Sequence, residues 1–254
     1  MGYGITAEVS GPRACFTRPE LKAERVSYDV ITPSAARGIL EAVYWKPAIK
    51  WVIDGIEVLN EIKTATFRRN EVEDKVSYRN ARSVAEGKDE LLYLSASEKR
   101  QQRQTLYLED VRYRINAHFE MTAKAGETDT PEKHYNIALR RLRKGQCFNQ
   151  PYFGCREFAV DEIRLCEDEE RAPSFYQGKT VDLGYMLYDI DFEHGMEPCF
   201  FRAVMVDGFI DVARSRGEVV RLSSTASLTS TTLCSRAARF HPWAGAANAL
   251  LGNS

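Results

Sequence analysis

Polar and apolar positions change period repeatedly along this chain, and the changes mark out its elements. Tyr3–Val9 reads as a first strand. It runs into a loop, Ser10–Glu20, with two prolines and with Arg13 and Arg18 flanking Phe16. From Thr32 to Pro47 the spacing becomes helical, with Ala36, Ile39, Leu40 and Val43 as the apolar face. Thr32 supplies an N-cap, Pro33 suits the first helical position, and Pro47 ends the helix. Tyr44 follows Leu40 by four residues, at the edge of that face, where a half-buried core tyrosine is the expectation. Lys50–Leu59 reads as a strand. Val111–Phe119 alternates strictly, which turns Arg112, Arg114, Asn116 and His118 outward. Between these two strands, residues 63–105 become polar and charge-rich. That predicts an inserted hairpin or long loop, either a solvated face or a basic rim that includes Arg68 and Arg69.

The next helix has both ends marked. Thr130 is a good N-cap, Pro131 fits the first position, and Gly145 stops the helix after a basic last turn. Tyr135, Ala138, Leu139 and Leu142 form its apolar stripe. Phe153–Val160 reads as another strand, and the acidic run Glu167–Glu170 as a boundary. Strand, helix, strand, strand, helix, strand is the order of a ferredoxin-like βαββαβ domain, spanning residues 1–170 of an α+β protein. The aromatic signature of a standard RNA-recognition motif is absent from it. Residues 171–220 predict a small antiparallel sheet, Leu183–Ile190, Phe200–Val206 and Phe209–Val212, with a hairpin across Asp207-Gly208. Residues 221–254 form a Ser/Thr/Ala-rich tail expected to be poorly ordered.

Composition adds limits. The 254 residues carry a net charge of −1. Residues 1–150 hold 25 Lys/Arg against 21 Asp/Glu, and the remainder 10 against 15, so the first part is the one suited to a polyanion. The six cysteines make no metal-ligand spacing, so neither a zinc site nor a disulfide framework is expected and reduced thiols in cytoplasm are the default; no cofactor is expected either. No secretory leader is recognisable, and no apolar run reaches the roughly 18 residues of a membrane span.

The chemistry concentrates at the start of the second helix. Lys133 and His134 lie in its first turn, where free N–H groups and the helix dipole attract anions. Residues 131–146 also hold Arg140, Arg141, Arg143 and Lys144 against one acid, Glu132. The same pattern describes a solvated amphipathic helix with one incidental histidine.

Taken in order, several short motifs resemble one family. They are Ser10-Gly11-Pro12 with Cys15-Phe16-Thr17-Arg18-Pro19-Glu20, Thr32-Pro33-Ser34-Ala35-Ala36-Arg37-Gly38-Ile39, Tyr44-Trp45-Lys46-Pro47, Ala117-His118-Phe119, Lys133-His134-Tyr135 and Gly154-Cys155-Arg156-Glu157-Phe158. Over residues 3–215 the chain resembles the fifth CRISPR-associated protein family, in the subtype of type I-C systems, within the repeat-associated ferredoxin-like superfamily. The resemblance implies an endoribonuclease that recognises a repeat hairpin and cuts precursor RNA at the 3′ base without a metal. It implies that the protein then stays on the 5′ handle of the guide RNA, beside the other subunits of the interference complex. It places the catalytic tyrosine on Tyr44 and the catalytic lysine and histidine on Lys133 and His134. Candidate RNA contacts are Arg13, Arg18, Arg37, Lys46, Arg68, Arg69, Arg140 and Arg141. Double-stranded DNA is a further candidate partner, and a membrane is not.

Metal-free cleavage of RNA needs a base for the 2′-OH, an acid for the leaving 5′-oxygen and positive charge for the phosphorane. A histidine can titrate near neutrality, which suits His134 to proton transfer. Lys133 would stabilise the transition-state charge. Tyr44, a phenol with an ordinary pKa of about 10, would orient the 2′-OH or share in proton transfer. Which group is acid and which is base stays open, and two other classes compete. One is a subunit that holds the guide-RNA handle without cutting. The other is a general binder of duplex nucleic acid.

Overall fold

The computed structural model describes residues 3–21, 24–88, 92–166, 173–192 and 195–221. In chain order its elements are β1 (Gly4–Ala14), β2 (Arg25–Val26), α1 (Pro33–Val43), β3 (Ile49–Val58), β4 (Lys63–Val72), α2 (Tyr78–Ala85), β5 (Arg100–Met121), α3 (Pro131–Arg143), β6 (Glu162–Leu165), β7 (Thr180–Asp191), β8 (Glu197–Val206), β9 (Phe209–Asp211), α4 (Val212–Ser215) and β10 (Val220–Arg221). This is a mixed α/β architecture with one large, mainly antiparallel sheet and few helices.

At the centre of the sheet the strands run in the order β6–β1–β5–β3, every neighbour antiparallel. One face of β1 and β5 is apolar, with Ile5, Ala7, Val9, Tyr113, Ile115, Ala117 and Phe119 buried. Ala36, Ile39, Leu40 and Val43 of α1 and Ala138 and Leu142 of α3 join the same core. Both helices start as their caps predict: the Thr32 and Thr130 hydroxyls accept hydrogen bonds from the N–H groups of Ala35 and Lys133. α1 stops at Val43, before Pro47, because Tyr44 turns extended.

The opposite face of β5 departs from the expected outward set. Arg112 and His118 keep partial exposure, but Arg114 is 1% exposed. In register it lies between Glu8 of β1 and Glu57 of β3, and it is ion-paired to both. Alternation places a side chain on a face, but only the neighbouring strands determine whether that face is wet.

Three other expectations change. β1 runs through Ala14, so the N-terminal half of the predicted loop is strand. Among the described residues β6 pairs with β1 only from Ala7 to Ser10, so no strand lies beside Pro12 on that edge and its missing N–H costs no ladder bond. The inserted segment does contain a hairpin, β4 on β5, and the strand predicted at 111–119 is the distal half of the 22-residue β5. Residues 153–160 are not a strand. They form a tight loop closed by Phe153 N–H to Phe158 O (2.8 Å) and by a single bridge between Tyr152 and Ala159. Gly154, at φ +80°, is the reason: a Cβ there would come within 2.0 Å of the Cys15 carbonyl oxygen. The loop therefore packs onto β1, with Cys15 N–H bonded to Phe153 O at 3.0 Å.

The strands expected over 171–220 appear as β7, β8 and β9, and β9 hydrogen-bonds to β3, so they continue the main sheet. Residues up to Arg221 form one compact unit. Asp207 and Gly208 both have positive φ, as their tight hairpin requires. The acidic boundary run and the 222–254 tail lie outside the described residues. Among those residues no helix is long and apolar enough to cross a membrane.

Candidate active site

Three neighbouring elements converge behind the C-terminal end of α1. Tyr44, the residue that ends α1, is fixed through its backbone, because the Trp51 indole of β3 donates to the Tyr44 carbonyl at 2.8 Å. Arg141 of α3 donates to the Val43 carbonyl at 2.6 Å and lies 5.2 Å above the Tyr44 ring. The Tyr44 hydroxyl then meets Nδ1 of His134 at 2.7 Å. Both side chains are buried, Tyr44 at 2% and His134 at 1% exposure. His134 thus takes the inward position on α3 that the spacing had given to Tyr135, which is only half-buried.

The far side of the imidazole faces a residue that sequence reasoning did not single out. Asp129, just ahead of the Thr130 cap, places Oδ1 3.3 Å from His134 Nε2 and 3.3 Å from Lys133 Nζ. The His134 contact is close but poorly aligned for a hydrogen bond. The Gly126 N–H donates to the other carboxylate oxygen at 3.1 Å. That bond and the Lys133 ammonium hold the Asp129 carboxyl below the usual carboxylate range. Its spacing to Lys133, i to i+4 across a helix start, is the signal that could have revealed it.

A carboxylate at Nε2 favours the tautomer with its proton on Nε2, which leaves Nδ1 free to accept from Tyr44. Burial pushes the Tyr44 phenol above its ordinary pKa; the Arg141 charge opposes this and Asp129 adds to it. Tyr44 is therefore a phenol whose proton has one well-placed acceptor. Asp129, His134 and Tyr44 lie in a carboxylate–imidazole–hydroxyl series, a geometry that can serve proton transfer.

Lys133 is half-exposed beside this pair, in an open cleft of about 550 Å³ whose walls include Lys46, Lys124, Arg140 and Arg141. Of the predicted RNA contacts, Lys46, Arg140 and Arg141 line this cleft and the rest do not. Arg13 lies over the Tyr107 ring, and Arg18 stacks on Tyr28 and pairs with Glu20. Arg37 is held by Asp189 and Glu41, and Arg69 by Glu71 and Glu157. Arg68 is exposed on β4. Among the described residues no three His, Cys, Asp or Glu side chains group as metal ligands would.

Known proteins share this framework. Residues 4–213 match the family model described as CRISPR-associated protein (Cas_Cas5). The CRISPR pre-crRNA endoribonuclease Cas5d of Mannheimia succiniciproducens is 48% identical over 225 residues, covering 87% of this chain and 100% of that protein. The CRISPR pre-crRNA endoribonuclease Cas5d of Thermus thermophilus is 37% identical over 188 residues, covering 74% of this chain and 73% of that one. A solved structure described as "Crystal Structure of CRISPR-associated Protein" superposes with a TM-score of 0.60 at 27% identity, covering 82% of this chain and 90% of that one.

Proposed function

The chain belongs to the Cas5 family of CRISPR-associated proteins, and from that premise we propose that it is a metal-independent endoribonuclease that cuts CRISPR precursor RNA at its repeats. The observation that carries this reading is the buried Tyr44–His134 hydrogen bond opening on a basic cleft with Lys133 at its rim. A protein that merely held RNA would have no use for a phenol and an imidazole paired out of solvent. The strand order β6–β1–β5–β3, with α1 after the first strand and α3 after the third, supports a ferredoxin-like arrangement for the catalytic part.

The reaction is attack by a ribose 2′-oxygen on the adjacent phosphorus. The 2′-O–P bond forms as the P–O5′ bond breaks, leaving a 2′,3′-cyclic phosphate and a 5′-OH. Tyr44 takes the 2′-OH proton while its own passes to His134 Nδ1, and Asp129 holds the resulting imidazolium. Lys133 lies in the cleft, where it stabilises the phosphorane and protonates the leaving 5′-oxygen. After cleavage the protein keeps the 5′ handle as a subunit of the interference complex.

The test is a gel assay in excess EDTA with labelled RNA of the protein's own repeat, beside the same RNA carrying one 2′-deoxyribose at the cut. One cut in the all-ribose RNA, and none in the deoxy RNA, is expected. Cutting of the deoxy RNA would refute 2′-OH attack. Tight binding with no cut would leave a holder of the handle.

Asp129→Asn tests the role given to the carboxylate. It should slow single-turnover cleavage about tenfold or more, because the imidazolium formed in the reaction loses the negative charge 3.3 Å from its Nε2. RNA affinity should not weaken, since a negative charge leaves the cleft. A variant that cuts at the wild-type rate would remove Asp129 from the mechanism.

A further inference from the structure

The catalytic cleft does not end at Tyr44. Tyr44, Lys46, Pro47 and Arg141 also form one wall of a second, larger groove of about 990 Å³ that runs along α1 to the loop after α3. Three large aromatic rings stand open in it: Trp45 at 54%, Phe148 at 77% and Tyr152 at 41% exposure. Backbone bonds anchor two of the three residues. Phe148 N–H bonds to the Ala42 carbonyl of α1 at 2.8 Å, and Tyr152 is held by its bridge to Ala159. Lys46, Arg141 and Arg156 complete the walls, and among the described residues the Lys46 and Arg156 head groups meet no carboxylate. Among the described residues Glu41 is the only acid in the lining, and Arg37 is 3.5 Å from it.

Open rings interleaved with cations, with little opposing charge, make a stacking platform for single-stranded nucleic acid. The volume matches the upper end of pockets that enclose a drug-sized molecule, so it has room for more than one base. We infer that this groove is a binding subsite for the unpaired nucleotides flanking the scissile phosphate, whose bases stack on Trp45, Phe148 and Tyr152 while Lys46 and Arg156 meet their phosphates. The inference rests on the ribonuclease reading for the identity of the strand. Continuity with the cleft selects RNA over a protein partner, because a strand leaving Tyr44 in this direction must enter the groove.

The experiment measures binding rather than cutting. Fluorescence anisotropy would compare two 2′-deoxy-blocked repeat hairpins in EDTA, one with its flanking unpaired nucleotides and one trimmed to the stem. Wild type should bind the flanked RNA more tightly. Phe148→Ala with Tyr152→Ala should lose about tenfold per ring on the flanked RNA, and nothing on the trimmed one. Phe148→Tyr with Tyr152→Phe keeps both rings and should bind like wild type. Equal affinity of wild type for the two RNAs, an unchanged double-alanine variant, or an equal loss on both RNAs would overturn the inference; an unchanged variant is also what a protein-docking groove would give. If the protein binds with the expected flank dependence yet never cuts, the endonuclease reading fails and the subsite stands. If it cuts but shows no flank dependence, the reverse holds.

Discussion

Replacing His134 by alanine is expected to lower the rate of repeat-RNA cleavage by about a hundred- to ten-thousandfold, the usual contribution of a positioned acid–base group. RNA affinity should barely change. His134 is buried, so it offers the polyanion no surface, and among the described residues its side chain hydrogen-bonds only to the Tyr44 hydroxyl. Tyr44→Phe removes a single oxygen and should give a loss of similar size, because the proton route passes through that atom. The combination is the sharper test. Groups that act as one relay are not additive, so Tyr44→Phe with His134→Ala should be about as slow as the worse single variant. Losses that multiply would mean two independent roles and would refute the relay. His134→Asn guards against simple misfolding, since it keeps a hydrogen-bonding group near Nδ1 and fills more of the space. It should match wild type in thermal stability and the alanine variant in rate.

The second large effect falls on stability, away from the cleft. Glu8→Ala should destabilise the fold by roughly 3–5 kcal/mol, the cost of removing one partner from a buried ion pair. Glu8 is buried on β1 and accepts hydrogen bonds from Arg112 Nε and Arg164 Nη2, each at 2.9 Å, with Arg114 Nε at 3.4 Å. Truncation would remove the carboxylate on which these three cations converge, one of them fully buried. The same residue gives the pH dependence a sign. Burial pushes the Glu8 carboxyl up, but Arg164 and Arg112 outweigh it and hold the carboxyl below its usual range. Its contribution is therefore full above the unfolded value, about pH 4, and fades as pH falls through the folded value. Urea denaturation at pH 7 and at decreasing pH would measure both effects. A Glu8→Ala loss under about 1 kcal/mol would show that the arginines find other partners.

Local chemistry determined much of what was legible in the sequence. The helix starts at Thr32 and Thr130 and the Asp207-Gly208 hairpin depend on residues within a few positions of one another, so the sequence specifies them without help. The pairing of Lys133 with His134 at a helix N-terminus is local in the same way. Tertiary structure decided what depends on register and on distant neighbours. Arg114 looked like a solvent-facing strand residue and is buried, because β1 and β3 bring Glu8 and Glu57 to either side of it. Phe153–Val160 has strand-like composition and is a loop, because Gly154 must pass against the Cys15 carbonyl. In the site, the sequence supplied Tyr44, Lys133 and His134 as candidates 89 to 90 positions apart. Only the packing of α1 against α3 buries Tyr44, turns His134 inward to meet it, and places Asp129 behind the imidazole. A proton relay needs donor and acceptor within about 3 Å, and contact at that range between remote residues is set by the fold.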